Sequence, residues 1–146
     1  MASQLQGVKA LTGKITELGA KLAAKELRGV TKTAMQEAEH VARARIPQGT
    51  EPHYTYKGRL VSAGYALSTL HIETYVDKKT GSAVALLGVG REAFYAALFV
   101  ELGTSKMQAR PWLQPSFEQS KDPMLRALAD DLRARVERIA RKRARK

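Results

Sequence analysis

Residues 94–117 read FYAALFVELGTSKMQARPWLQPSF. An aromatic and apolar run ends in Glu101-Leu102-Gly103-Thr104, a short polar loop follows, and Arg110-Pro111-Trp112-Leu113-Gln114-Pro115 closes the stretch. Tyr95, Phe99, Val100 and Leu102 offer apolar area to a core, each worth roughly 1.5–3 kcal/mol if buried. Gly103 stands where a chain leaving a helix or strand often needs a positive φ. Glu101 can accept hydrogen bonds from backbone N–H groups of the turn or from the Thr104 hydroxyl. Pro111 biases Arg110 to an extended conformation. Pro115 suits the first position of a new helix, where its missing N–H costs nothing. Trp112, the only tryptophan, lies between the two prolines. The stretch builds a fixed corner and presents a hydrophobic anchor beyond it; it contains no catalytic arrangement.

Outward from this corner the pattern is α+β. Towards the N-terminus, Glu92 to Leu102 reads as a helix from its alanines and the spacing of Tyr95, Leu98, Phe99 and Leu102. Ala83 to Val89 is a compact apolar strand, and Asp77-Lys78-Lys79-Thr80-Gly81 is a hairpin loop pairing it with a β-like stretch from Tyr65 to Val76. Ile46 to Pro52 is a loop, and His53-Tyr54-Thr55-Tyr56 is open to ordering by aromatic contacts. Thr31 to Arg45 is an alanine-rich helix with Ala34, Ala38 and Val41 on one face. Val8, Leu11, Ile15, Leu18 and Leu22 form an earlier helical stripe. Whether the two helices are one, bent near Gly29, is left open. Beyond the corner, Asp122-Pro123 has the form of a helix start, with Leu125, Leu128, Leu132, Val136 and Ile139 as its apolar stripe.

These elements fit one domain: a helical region over residues 1–45, an α+β core over 46–120 and a basic helix and tail over 121–146. The expected architecture is a small antiparallel sheet packed by a helix, with long N- and C-terminal helices.

Charge narrows the partners. The chain has 146 residues and a net charge of +11, which calls for a polyanion or an acidic protein surface. From Lys121 to Lys146 there are ten Lys and Arg against four Asp and Glu, a net +6. These basic residues can meet DNA phosphates, pair with acidic residues of a neighbouring subunit, or form a solvated face. Aromatics are scarce there, which disfavours base stacking on single strands. There is no cysteine, hence no disulfide framework or thiolate site, as suits a reducing cytoplasm. No apolar run approaches the roughly 18 residues of a membrane span, and the opening MASQLQGVKALTGK lacks the apolar core of a signal peptide.

Enzyme motifs are missing. His40, His53 and His71 fall on different elements, with no HExxH or paired spacing, so no metal or other cofactor is expected. Gly88-Val89-Gly90-Arg91 invites a phosphate-loop reading but lacks the third glycine and the Gly-Lys-Ser/Thr ending; a strand-to-helix turn is the better reading. No Gly-x-Ser-x-Gly elbow is present. Asp130-Asp131 and Glu37-x-Glu39 read as solvated helix charges.

The corner resembles the tail-component family (neck, or tail-completion, proteins) of long-tailed double-stranded DNA bacteriophages. Phe99-Val100-Glu101-Leu102-Gly103-Thr104 is similar to that family's aromatic-rich run ending in Glu-x-Gly-Thr. Pro111-Trp112-Leu113-Gln114-Pro115 is similar to its Pro-aromatic-Leu-x-Pro segment, with Trp112 where Phe is usual and Ser116 where Ala is usual. Ile46-Pro47 and Lys57-Gly58-Arg59-Leu60 follow the family order. The resemblance spans residues from about Val30 to Arg143.

It implies a non-enzymatic virion protein, assembled in the host cytoplasm into a homo-oligomeric ring, often sixfold. The ring would join head-closure or connector proteins to the tail terminator or tail tube around the DNA passage. Phe99, Glu101, Gly103 and Thr104 would shape the corner, and Pro111, Trp112, Leu113 and Pro115 would hold the following helix against the sheet or the next subunit. Trp112 is then either an anchor between subunits or buried in its own. Arg138, Arg141, Lys142, Arg143 and Arg145 would meet duplex DNA or an acidic partner ring. The Lys78-Lys79-Thr80-Gly81 hairpin is a candidate docking loop. The alternatives are a stand-alone nucleic-acid-binding protein, suggested by charge, and a tail terminator or head-closure protein of the same machine.

Overall fold

The computed structural model describes Lys9, Thr12, Gly13 and residues 20–145. Of the first apolar stripe, Val8, Leu11, Ile15 and Leu18 lie outside the described residues, and Leu22 is exposed. Helix α1 spans Ala20–Arg45. Two short strands, β1 (His53–Tyr54) and β2 (Leu60–Val61), pair antiparallel with His53 opposite Val61. A one-turn helix α2 (Tyr65–Ser68) leads to strands β3 (His71–Val76) and β4 (Ala83–Gly88), which form a hairpin. Helix α3 (Phe94–Leu102) and the long helix α4 (Leu113–Ala144) complete the chain. The class is α+β with long helices at both ends. Among the described residues the β-sheet structure is two separate two-stranded pieces.

The chain divides into two compact units. The first comprises residues up to Glu37, Glu73–Leu86 and Asp122–Lys146; the second comprises Ala38–Ile72 and Leu87–Lys121. In the first, Ala23 and Val30 of α1 meet Leu132 of α4, with Leu27, Leu128 and Val136 packed around them. These residues recur at steps of three and four, so each helix turns one apolar stripe inward. The β3–β4 hairpin belongs largely to this unit. The Asp77 carboxylate accepts the Lys79 N–H at 2.8 Å and the Thr80 hydroxyl at 3.0 Å. Gly81 takes φ 69° to close the turn. The Arg28 guanidinium donates to the Thr74 carbonyl at 2.8 Å, tying α1 to the hairpin.

The second unit is built on small residues. Ala38, Ala42, Ala93, Ala97, Ser116 and Ser120 are all buried, beside Ile46, Val61, Leu70, Leu87 and Trp112. Small side chains let helix backbones approach closely. The end of α1 and the start of α4 are also joined by the Arg45 guanidinium donating to the Gln119 side-chain oxygen at 2.6 Å.

Three expectations need correction, and one question left open is answered. First, Tyr65 to Ser68 is helical rather than β-like, because Thr69 and Ser68 return hydrogen bonds to the Tyr65 carbonyl. Second, α3 begins at Phe94, two residues late, after a turn closed by the Ala93 N–H on the Gly90 carbonyl.

Third, the two N-terminal helical stretches meet in one helix where they are described, running unbroken through Gly29. A Cβ on Gly29 would lie 2.5 Å from the Arg135 guanidinium, so this glycine makes room for a neighbour. Fourth, Asp122-Pro123 does not start a helix. Pro123 lies inside α4, where it forfeits one backbone bond at a cost of about 3 kcal/mol. The burial of Ser116, Ser120 and Leu132 on either side carries the helix through. The segment boundary drawn at residue 121 therefore falls within a continuous helix.

Candidate functional site

The corner forms as a joint between α3 and α4, with Glu101 at its centre. The first four N–H groups of any α-helix lack an intrahelical acceptor. In α4 these belong to Trp112, Leu113, Gln114 and residue 115. Glu101 accepts the Trp112 and Leu113 N–H groups on Oε2 at 2.6 and 2.8 Å, and the Gln114 N–H on Oε1 at 3.0 Å. Residue 115 is proline and has no N–H to satisfy. One carboxylate from another helix, together with one proline, thus accounts for the whole first turn. Pro115 sits at the third helical position rather than the first, since α4 begins at Leu113.

Burial alone would push the Glu101 carboxyl up. The Leu113, Gln114 and Trp112 N–H groups outweigh it and hold the group below its ordinary 4.5. A negative charge at a helix N-terminus is also favoured by the aligned peptide dipoles.

Trp112 returns the contact. It is 3% exposed, and its indole N–H donates to the Ala97 carbonyl of α3 at 3.3 Å. The Ser116 hydroxyl in turn donates to the Trp112 carbonyl. Trp112 is therefore buried within its own chain. Gly103 supplies the bend, with φ 75° and ψ 174°. Its Cβ would meet the Ala109 nitrogen at 2.8 Å and the Met107 carbonyl at 3.0 Å, backbone atoms with no rotamer to yield. Thr104 pairs with Met107 through both backbone bonds, and the Thr104 hydroxyl accepts the Lys106 N–H at 3.2 Å. Glu101 therefore binds the backbone of the following helix, and Thr104 stabilises its own loop. Pro111 is exposed, and Leu113 is half-buried.

The aromatic run does not cover the core as the sequence led one to expect. In α3 the buried residue is Ala97, with Ala93 buried just before it. Phe94, Tyr95, Phe99 and Leu102 are 50, 46, 48 and 70% exposed. Tyr56, from the turn between β1 and β2, joins them with its ring edge-on to Tyr95 at 5.0 Å. Tyr95 in turn lies 5.4 Å from Phe94 and 6.2 Å from Phe99. The result is a continuous ring-bearing face on the outside of the second unit.

The basic end is partly committed internally. Glu26 of α1 is buried, and its carboxylate accepts Arg135 at 2.8 Å and Arg138 at 2.9 Å. Asp131 also accepts Arg135, at 3.0 Å. Arg141 stands 3.8 Å from Glu137. Lys142, Arg143 and Arg145 are exposed, with no ion-pair partner among the described residues. The Glu26 cluster was not legible in sequence, because its members lie more than one hundred residues apart. Phe94 and Tyr56 were likewise missed as members of an outer face.

The remaining motifs do not gather into a cluster among the described residues. His40, His53 and His71 are exposed, and among the described residues no three His, Cys, Asp or Glu side chains gather to hold a metal. Gly90 packs its backbone against Thr69, whose Cβ would stand 2.9 Å from a Cβ added there; the Gly88–Arg91 segment is the turn from β4 to α3. Among the described residues no helix is long and apolar enough to cross a membrane. No family model matches the chain, and no curated protein or solved structure matches it either.

Proposed function

We propose that the protein is a structural component of a phage neck, a homo-oligomeric ring joining the head connector to the tail around the DNA passage, with no catalysed reaction. The observation that carries this reading is the outer face of α3. The largest apolar patch on a typical soluble monomer is about 300–600 Å² and is often functional. Tyr56, Phe94, Tyr95, Phe99 and Leu102 together expose on the order of 400–500 Å², more than half of the ~800 Å² each partner contributes to a standard interface. The face is held in place by the Glu101–Trp112 joint behind it, so it is presented without a large ordering cost on binding. A ring needs one patch of each subunit to meet a different patch of the next, and this face is offered as one of the two. The likeness of the corner to tail-component proteins supports the assignment to the neck, often a sixfold ring. A tail terminator or head-closure ring would use the same face at another level of the machine.

Because Trp112 is buried in its own chain, a Trp112→Ala variant tests folding rather than assembly. The interface test is Tyr95→Asp/Phe99→Asp, two exposed positions. Native mass measurement of the wild type, alone and with neighbouring neck proteins, is expected to give a closed ring. The variant is expected to remain monomeric with an unchanged circular dichroism spectrum. A wild type that stays monomeric throughout would refute the reading.

One observation favours a second reading, a dedicated nucleic-acid binder. The first unit carries +8 of the net +11, against +3 for the second. Tight, salt-dependent duplex binding by a monomer would favour it over the ring.

A further inference from the structure

We infer that the C-terminal part of α4, with the facing residues of α1, is a contact surface for the phosphate backbone of duplex DNA. This deepens the neck reading by naming what the basic end meets, and it rests on that reading only for the source of the DNA.

Arg135, Arg138, Lys142 and Arg145 follow one another at steps of three, four and three. At 3.6 residues per turn they share one sector of the helix about 80° wide and extend along about 15 Å of its axis. Two clefts open along this row. One, of about 540 Å³, is lined by Lys25, Arg135, Arg138, Lys142 and Arg143, with Glu26 at its base. The other, of about 370 Å³, is lined by Arg138, Arg141, Lys142 and Arg145, with Glu137. Arg138 and Lys142 belong to both, so the positive surface is continuous.

Helix-end electrostatics do not explain this row. The dipole effect falls off within the last turn, and the row reaches back ten residues from Arg145. Internal pairing does not exhaust it. Glu26 engages only Nη2 of Arg138, and the Arg138 side chain remains 53% exposed. Glu26 acts instead as a positioning residue, holding Arg135 and Arg138 in fixed orientation. The lining also discriminates between partners. Cores of protein–protein interfaces are depleted of charged residues overall, though rich in aromatics, Met and Arg; these linings are mostly charged, and neither cleft has an aromatic or Met wall. Without rings there is no stacking platform for single strands. A row of cations along one sector of a helix fits a duplex, which presents one charge per about 1.7 Å of axis.

The test is fluorescence anisotropy of the full chain with a 30-base-pair duplex between 50 and 200 mM NaCl. Three phosphate contacts predict a log–log salt slope of about −2.7, hence about 40-fold weaker binding over that range. Lys142→Glu/Arg143→Glu/Arg145→Glu is expected to weaken binding at least about 30-fold and flatten the slope. The charge-matched Arg59→Glu/Lys106→Glu/Arg110→Glu, on exposed positions of the other unit, is expected to stay within about fivefold of wild type. Equal losses in both variants would reduce the effect to net charge and overturn the inference. So would polyglutamate bound as tightly as DNA, which would make an acidic protein the partner. Masses recorded on the same samples separate the two proposals. A ring that ignores DNA overturns this inference alone; a monomer that binds it by this face overturns the ring alone.

Discussion

Replacing Glu101 by alanine removes the acceptor for three N–H groups at once, and the geometry sets the size of the loss. The Trp112 and Leu113 N–H groups are part-buried, whereas that of Gln114 is exposed. Water takes over the Gln114 donor at little cost. Hydrogen bonds to charged groups contribute about 1.5–3 kcal/mol each. Two part-buried donors at the low end of that range give about 3 kcal/mol for Glu101→Ala. Glu101→Gln keeps an oxygen in place but loses the charge, so roughly half of that loss is expected.

The assay is urea unfolding followed by fluorescence. Trp112 is the only tryptophan, so the signal reports the joint itself, and circular dichroism follows the helices in parallel. The pH dependence has a definite sign. The folded Glu101 carboxyl titrates below its ordinary 4.5, so its contribution is complete above that value and disappears as pH falls through the lower folded value. Wild type and Glu101→Gln should therefore differ most above pH 4.5 and converge in acid. A Glu101→Ala midpoint that implies a loss under about 0.5 kcal/mol would refute the claim that this carboxylate holds the start of α4.

Gly103→Ala should lower the same fluorescence midpoint by the equivalent of at least about 2 kcal/mol, because alanine is strained at φ 75° and ψ 174° and meets backbone atoms; an unchanged midpoint would mean the corner is not fixed. Gly29→Ala should behave differently in two backgrounds. With Arg135 present, the gain of about 1 kcal/mol in helix propensity is offset by displacing its guanidinium, 2.5 Å from the new Cβ. In an Arg135→Ala background that gain should appear, giving a coupling of about 1 kcal/mol or more in a thermal-unfolding cycle. Additive effects would show that the glycine is not there for the arginine.

The parts of this molecule that were legible in sequence are those whose cause is local. The Asp77–Gly81 turn satisfies its own carboxylate and its own glycine within five residues. The α4 stripe from Leu128 to Ile139 repeats within a single helix, and Gly103 needs only its own φ. The start of α4 was misplaced because its cap is not local. Its N–H groups are met by a carboxylate eleven to thirteen residues earlier, on another helix. A local reading could offer only the prolines, Pro115 as a first helical position and Asp122-Pro123 as a cap and start; the first falls two residues late and the second inside the helix.

The α3 error has a deeper cause. FYAALFVEL is apolar nearly all round, so periodicity cannot say which side faces inward. The structure resolves it in favour of the smaller residues. Ala93 and Ala97 go in, where the indole of Trp112 reaches the α3 backbone, and Phe94, Tyr95 and Phe99 stay out. Were the rings turned inward, they would occupy the space the indole fills and separate Glu101 from the N–H groups it caps. Closure of the joint and exposure of the aromatic face are thus one arrangement, so a variant that loosens the Glu101 clamp should also weaken the assembly we propose through that face.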